Sequence, residues 1–161
     1  MVAGEKHPIL VLGIGNILLK DEGIGVHTIR ELEKQDLPAT VELVDGGTAG
    51  ADLLEILADR QQVIVIDAVR GGHPPGTVIQ LTPEDLARKP CPGLSLHDVT
   101  LVDTLGMLQQ IDAAPGRVLI LGVVPADLSP GLGLTGPVAK VIPEIVNLVC
   151  REIDRLQAGG C

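Results

Sequence analysis

Ile9-Leu-Val-Leu-Gly-Ile14 runs into Gly15-Asn-Ile-Leu-Leu-Lys20 and then into Asp21-Glu-Gly-Ile-Gly-Val-His-Thr-Ile-Arg-Glu-Leu-Glu-Lys34. The first segment is a nearly continuous apolar run and reads as a buried strand. The second reads as a loop. In the third, Ile24, Ile29 and Leu32 suggest a helix, with Asp21 and Glu22 in its expected first turn, where negative charge suits the helix dipole. Strand, loop and helix in that order open an α/β sheet.

The rest of the chain continues the pattern. Val41–Val44 predicts a second strand ending at Asp45, and Gly46-Gly47-Thr48 a turn, with Thr48 as N-cap of a helix over about Ala49–Ala58. Val63–Ile66 is the most apolar run and is expected at the centre of the sheet. Arg70–Gly76 is rich in helix and strand breakers, and Thr77–Leu81 predicts a fourth strand. The link before it is too short for a parallel crossover, which places this strand antiparallel at an edge. Thr82–Arg88 suits a short helical turn with Pro83 at its start, and Cys91–Leu96 a loop. Ser95 and Asp98 resemble a capping box for a helix reaching about Ile111. Val118–Val124 predicts the fifth strand and Pro125–Gly133 a loop. Thr135-Gly-Pro137 opens a last helix reaching about Gln157, which Pro143 either kinks or shifts to a later start. The expected architecture is a three-layer α/β sandwich. Its twisted five-stranded sheet is mostly parallel with one antiparallel edge strand, helices cover both faces, and residues 1–161 form a single domain.

Composition narrows the function. The chain is 45% hydrophobic yet has no Phe, Tyr or Trp, so the core must be built from Leu, Ile, Val and Ala. Without aromatic rings there is no platform for base stacking, and a net charge of −9 opposes phosphate backbones, so nucleic acid is not an expected partner. The three cysteines, Cys91, Cys150 and Cys161, are odd in number and contain no CxxC, which fits neither a disulfide framework nor a zinc ribbon. No signal-peptide core and no membrane-spanning run are visible, and a cytoplasmic setting is expected.

Glu22, Asp67 and His97 lie at the ends of predicted strands or the start of a predicted helix, where open α/β sheets collect their chemistry. Two carboxylates and an imidazole suit a borderline divalent metal such as zinc or nickel, with positions left open for water or substrate. Each also has a plainer reading. Glu22 can serve the helix dipole, Asp67 can cap the turn after its strand, and His97 can bond a neighbouring carbonyl. Gly13 and Gly15 invite a dinucleotide-binding reading with Asp45 as the ribose-binding acid, but Leu18 stands where that motif needs a third small residue. His73 is a poorer candidate ligand, and His27 is expected to face away from Glu22. Cys91 is a conceivable thiol nucleophile, and no GxSxG elbow is present.

The long run Ile9–Val26 is highly similar to the opening of the hydrogenase maturation endopeptidases. Asp45-Gly-Gly-Thr-Ala-Gly50, Val65-Ile-Asp-Ala68, Leu96-His-Asp98 and Leu121-Gly-Val-Val-Pro125 resemble later segments of the same family. The resemblance implies an endopeptidase that removes the C-terminal extension of the nickel–iron hydrogenase large-subunit precursor after nickel insertion. It implies catalytic and metal-contacting roles for Glu22, Asp67 and His97, and a substrate-binding role for Asp45, Gly46, Gly47 and Thr48. The expected metal is nickel presented by the substrate, or another divalent ion in the free protein. The expected partner is the precursor, met by a monomer. Specificity is expected in the loops Arg70–Gly76 and Pro125–Gly133. A non-catalytic nickel checkpoint or chaperone for the precursor, and a dinucleotide-binding module, are the alternatives.

Overall fold

In the computed structural model, Ile9–Ile14 forms β1, buried along its whole length. The structure describes residues 6–47, 52–88 and 96–159, without the side chains of 52, 87, 88 and 96–100. β1 lies between two parallel neighbours, β2 (Val41–Gly47) and β3 (Gln62–Ala68). β5 (Arg117–Val123) pairs parallel with β3, and β4 (Val78–Leu81) closes the far edge antiparallel to β5. The spatial order is therefore β2-β1-β3-β5-β4. The chain leaves β1 to one side for β2 and returns on the other side for β3. The switch point, where such sheets open a crevice, thus lies between β1 and β3.

Alternating side chains divide the core into two layers. Val11, Ile64, Ile66 and Val123 face α1 (Ile24–Leu32) and α6 (Ile142–Ala158), meeting Ile29, Ile145 and Val149. Leu10, Leu12, Val63, Val65 and Ile120 pack on the other face with Leu53 and Leu57 of α2 (Asp52–Leu57) and Leu101, Leu105 and Leu108 of α4 (Leu96–Gln110). α3 (Pro83–Arg88) adds Leu86 to that second layer. The expected sandwich, with its antiparallel edge strand, is the fold found.

Three local readings are corrected. Asp21 and Glu22 do not start an α-helix; they sit in a separate 3-10 turn, Lys20–Gly23, and α1 begins only at Ile24. Gly46 and Gly47 belong to β2 rather than to a turn. A bulge beside Gly13 and Ile14 shifts the register, and the ladder continues as the Gly15 N–H donates to the Gly47 carbonyl at 2.9 Å. The last helix is two: a short α5 (Gly136–Ala139) and then α6, with Pro143 in its first turn, where a missing N–H costs nothing. Of the two readings of Pro143, the later start is correct. Thr48 and the proposed start of the second helix at Ala49 lie outside the described residues, as do Cys91 and Ser95.

Candidate functional site at the switch point

Glycines bring the acidic turn onto the strand ends. Gly15 has φ +138°, and a Cβ there would lie 1.8 Å from the Glu22 carbonyl oxygen. The Glu22 backbone therefore rests directly on the end of β1. A Cβ on Gly25 would lie 2.3 Å from the Ile66 carbonyl oxygen and 2.5 Å from that of Ile14. α1 can start across the gap between β1 and β3 only because residue 25 has no side chain. The 3-10 turn with Glu22 consequently packs against β3, whose end carries Asp67.

The turn is anchored from the far end of the chain. Asp21 is fully buried, and its carboxylate accepts four hydrogen bonds. Oδ2 receives the Ala126 N–H at 2.8 Å, the Asp127 N–H at 3.0 Å and the Thr135 hydroxyl at 2.8 Å; Oδ1 receives the Thr135 N–H at 2.8 Å. Lys20, in the left-handed region at φ 49°, donates its N–H to the Gly131 carbonyl at 3.1 Å and pairs its ammonium with Asp127 at 2.9 Å. Hydrogen bonds from the Ser129 side chain, from Lys20 and from the Ser129 N–H hold the Asp127 carboxyl well below the usual range. Of two adjacent acids, then, Asp21 is committed to structure, while Glu22 remains half-buried on the turn. No local signal in the sequence separates them, because the partners of Asp21 lie 105 to 114 positions away.

Asp67 is only 1% exposed, and its Oδ1 accepts the Ala68 N–H at 2.8 Å. It shares strand parity with Val63 and Val65, so it projects on the side covered by α4. His97 lies in the first turn of α4, on that same side, but its side chain is outside the described residues. The fold thus brings the Glu22 turn and Asp67 to one switch point and places the His97 helix on the face Asp67 occupies. Among the described residues, no three His, Cys, Asp or Glu side chains are grouped to hold a metal. As donors, the carboxylates of Glu22 and Asp67 are of the kind that binds a divalent cation.

Beside this point, Asp45 stands exposed at the end of β2, and its Oδ1 accepts the Gly47 N–H at 2.9 Å. Gly47 has φ +47°, a conformation that favours glycine. A cleft of about 350 Å³ lies here between Gly15, Asn16, Ile17, Leu18, Val26, Asp45 and Gly47. A second hollow, lined by Arg70, Gly71, Val124, Pro125, Ala126 and Leu128, opens beyond the ends of β3 and β5. It draws on both loops in which specificity was expected. The larger hollow between Thr82, Val102, Gln109 and Arg117 lies at the opposite end of β5, away from these groups.

His27 packs its ring over Gly23, with Nε2 buried and without a hydrogen bond. Burial, and next the charge of Arg30, push its pKa below the ordinary 6.5. His73 is exposed in its loop. The dinucleotide alternative loses its phosphate site. The 3-10 turn separates Gly15 from α1, and the first residues of α1 are buried against the strand ends.

A doubly wound sheet of this order, with Asp67 near the end of β3 beside the switch point, defines an α/β protein of the class that collects its chemistry at the carboxyl ends of its strands. The chain matches the model of the hydrogenase maturation protease family (HycI) over residues 26–152, and it belongs to that family. Glu22 lies just before the matched span. The chain is 42% identical to the hydrogenase 2 maturation protease of Escherichia coli over 143 residues, covering 88% of this chain and 87% of that one. It is 35% identical to HupD of Rhodobacter capsulatus, a hydrogenase expression/formation protein, over 162 residues, covering 99% and 76%. The solved structure of the hydrogenase maturating endopeptidase HybD from E. coli superposes with a TM-score of 0.83 at 38% identity, covering 91% and 92%. The protein is thus an endopeptidase, which disfavours a non-catalytic checkpoint. Among the described residues no helix is long and apolar enough to cross a membrane.

Proposed function

We propose that this endopeptidase removes the C-terminal extension of a nickel–iron hydrogenase large-subunit precursor once nickel is in place, and that Glu22, Asp67 and His97 meet that nickel as part of the substrate. The observation that carries the site is the packing of the Glu22 turn against β3, beside the buried Asp67. Glu22 and Asp67 supply carboxylate oxygens and His97 an imidazole nitrogen. Three protein ligands leave coordination positions for the groups of the precursor, so a loaded precursor is held more tightly than an empty one. Recognition through the metal makes loading the condition for cleavage. Asp45 and Gly47, which line the cleft, then lie along the extension, and Gly46 and Thr48 of the same segment are assigned to substrate binding with them. A divalent metal held by the same three residues in the free protein would instead polarise the scissile carbonyl or activate water.

The test is to incubate the purified protein with precursor carrying or lacking nickel and to follow the large-subunit mass. Cleavage of the loaded form alone is expected. Equal cleavage of both forms would sink recognition through the substrate's nickel, and an unchanged mass in both would sink the precursor assignment. The same reading takes the protein to act as a cytoplasmic monomer. Sedimentation as a dimer at working concentration would contradict the monomer.

A further inference from the structure

Four large apolar side chains are exposed among the described residues: Leu18, Met107, Ile111 and Leu132. Met107 and Ile111 lie on or just past the last turn of α4, at the end far from His97. Leu18 and Leu132 belong instead to two segments joined beside the acidic turn. The Gly131 N–H donates to the Leu18 carbonyl at 2.8 Å, the Lys20 N–H donates to the Gly131 carbonyl at 3.1 Å, and Leu19 and Gly131 form a parallel bridge. The Leu18 N–H is further bound to Asn16 Oδ1 at 2.9 Å. Beneath them, Asp21 and the Lys20–Asp127 pair fasten the same two segments together. Leu18 and Leu132 are thus 60% and 78% exposed on a backbone held from several directions. Leu18 also lines the cleft that ends at Asp45 and Gly47.

We propose that Leu18 and Leu132 form an apolar ledge that receives a hydrophobic side chain of the precursor's C-terminal extension. The inference rests on the precursor being the substrate and adds a residue-level source of selectivity. Leu18 itself lines the cleft, so a chain lying along Asp45 and Gly47 meets the ledge there. A second copy is the poorer occupant. Two leucines offer far less than the ~1,200 Å² of a stable interface, and the adjoining cleft carries Asp45, so pairing two chains of charge −9 there sets like charges together.

The test is steady-state processing of nickel-loaded precursor by wild type, Leu18→Ser, Leu132→Ser and the double variant. Each single change is expected to raise KM about tenfold, the double change more, with kcat within about twofold, as for lost ground-state burial of one leucine. Because both side chains are exposed, the urea midpoint should match wild type. Met107→Ser with Ile111→Ser is the control and should leave KM unchanged. An unchanged KM in the double variant, while wild type processes normally, overturns the ledge alone. Loss of self-association with unchanged KM overturns it equally. Wild type that leaves the precursor uncut overturns the substrate assignment, and the ledge with it.

Discussion

The carboxylate of Asp21 accepts both the backbone N–H and the hydroxyl of Thr135, each at 2.8 Å. One side chain thereby joins the turn after β1 to the segment that leads into α5. Glu22, the next residue, is oriented by this attachment and by the contact of its backbone with Gly15.

Asp21→Ala should destabilise the protein by roughly 3 kcal/mol, because it removes a fully buried carboxylate and leaves the part-buried Ala126, Asp127 and Thr135 donors without their acceptor. Processing should fall as well, since the Glu22 turn loses its anchor. Urea unfolding checks this, and a loss under about 1 kcal/mol would contradict the buried role.

Asp67→Asn keeps the shape and a carbonyl oxygen able to accept the Ala68 N–H, but removes the charge. Processing of loaded precursor should drop by about 10² or more while the unfolding midpoint stays near wild type. Activity within about tenfold of wild type would remove Asp67 from the site.

Gly25→Ala places a methyl group within 2.5 Å of the carbonyl oxygens of Ile14 and Ile66. α1 must shift off the sheet, at a cost of roughly 2–3 kcal/mol. Gly136, where an added Cβ meets nothing within 4 Å, is the comparison site and should tolerate alanine far better. Equal melting temperatures for the two variants would refute the close approach.

His27 links stability to pH. Burial and Arg30 lower its pKa in the folded state below the 6.5 of an exposed histidine. The unfolded chain therefore binds the proton first as pH falls. Stability from this group is full above 6.5 and declines as pH drops from there toward the folded value. Urea midpoints at pH 7.5 and 5.5 should differ less in His27→Leu than in wild type; an identical difference would clear His27 of the effect.

Most of the fold is legible in local pattern. Apolar runs locate all five strands, and the short link before Val78 reveals the antiparallel edge. Where the pattern misleads, a distant partner has overridden it. Asp21 and Glu22 look alike beside a helix start, yet the donors that bury Asp21 come from the loop after β5. Gly46 and Gly47 look like a turn, but Gly15 supplies the pairing that makes them strand. Pro143 is ambiguous because a short helix followed by a long one and a single kinked helix share a periodicity. In the candidate site, Asp67 reads as an acid at a strand end and Glu22 as an acid of the segment after β1. The packing of the Glu22 turn against β3 depends on β1 and β3 being neighbours, which no local window contains.

The clasp between Asp21 and Thr135 also orders events in time. Glu22 is made early, but a growing chain that stops short of Ala126 has none of the groups that grip its neighbour Asp21. The acid turn therefore takes its working shape only after the fifth strand and the loop beyond it have been synthesised. A half-made protease holds its acids without their geometry, so maturation of its partner waits on completion of the enzyme itself.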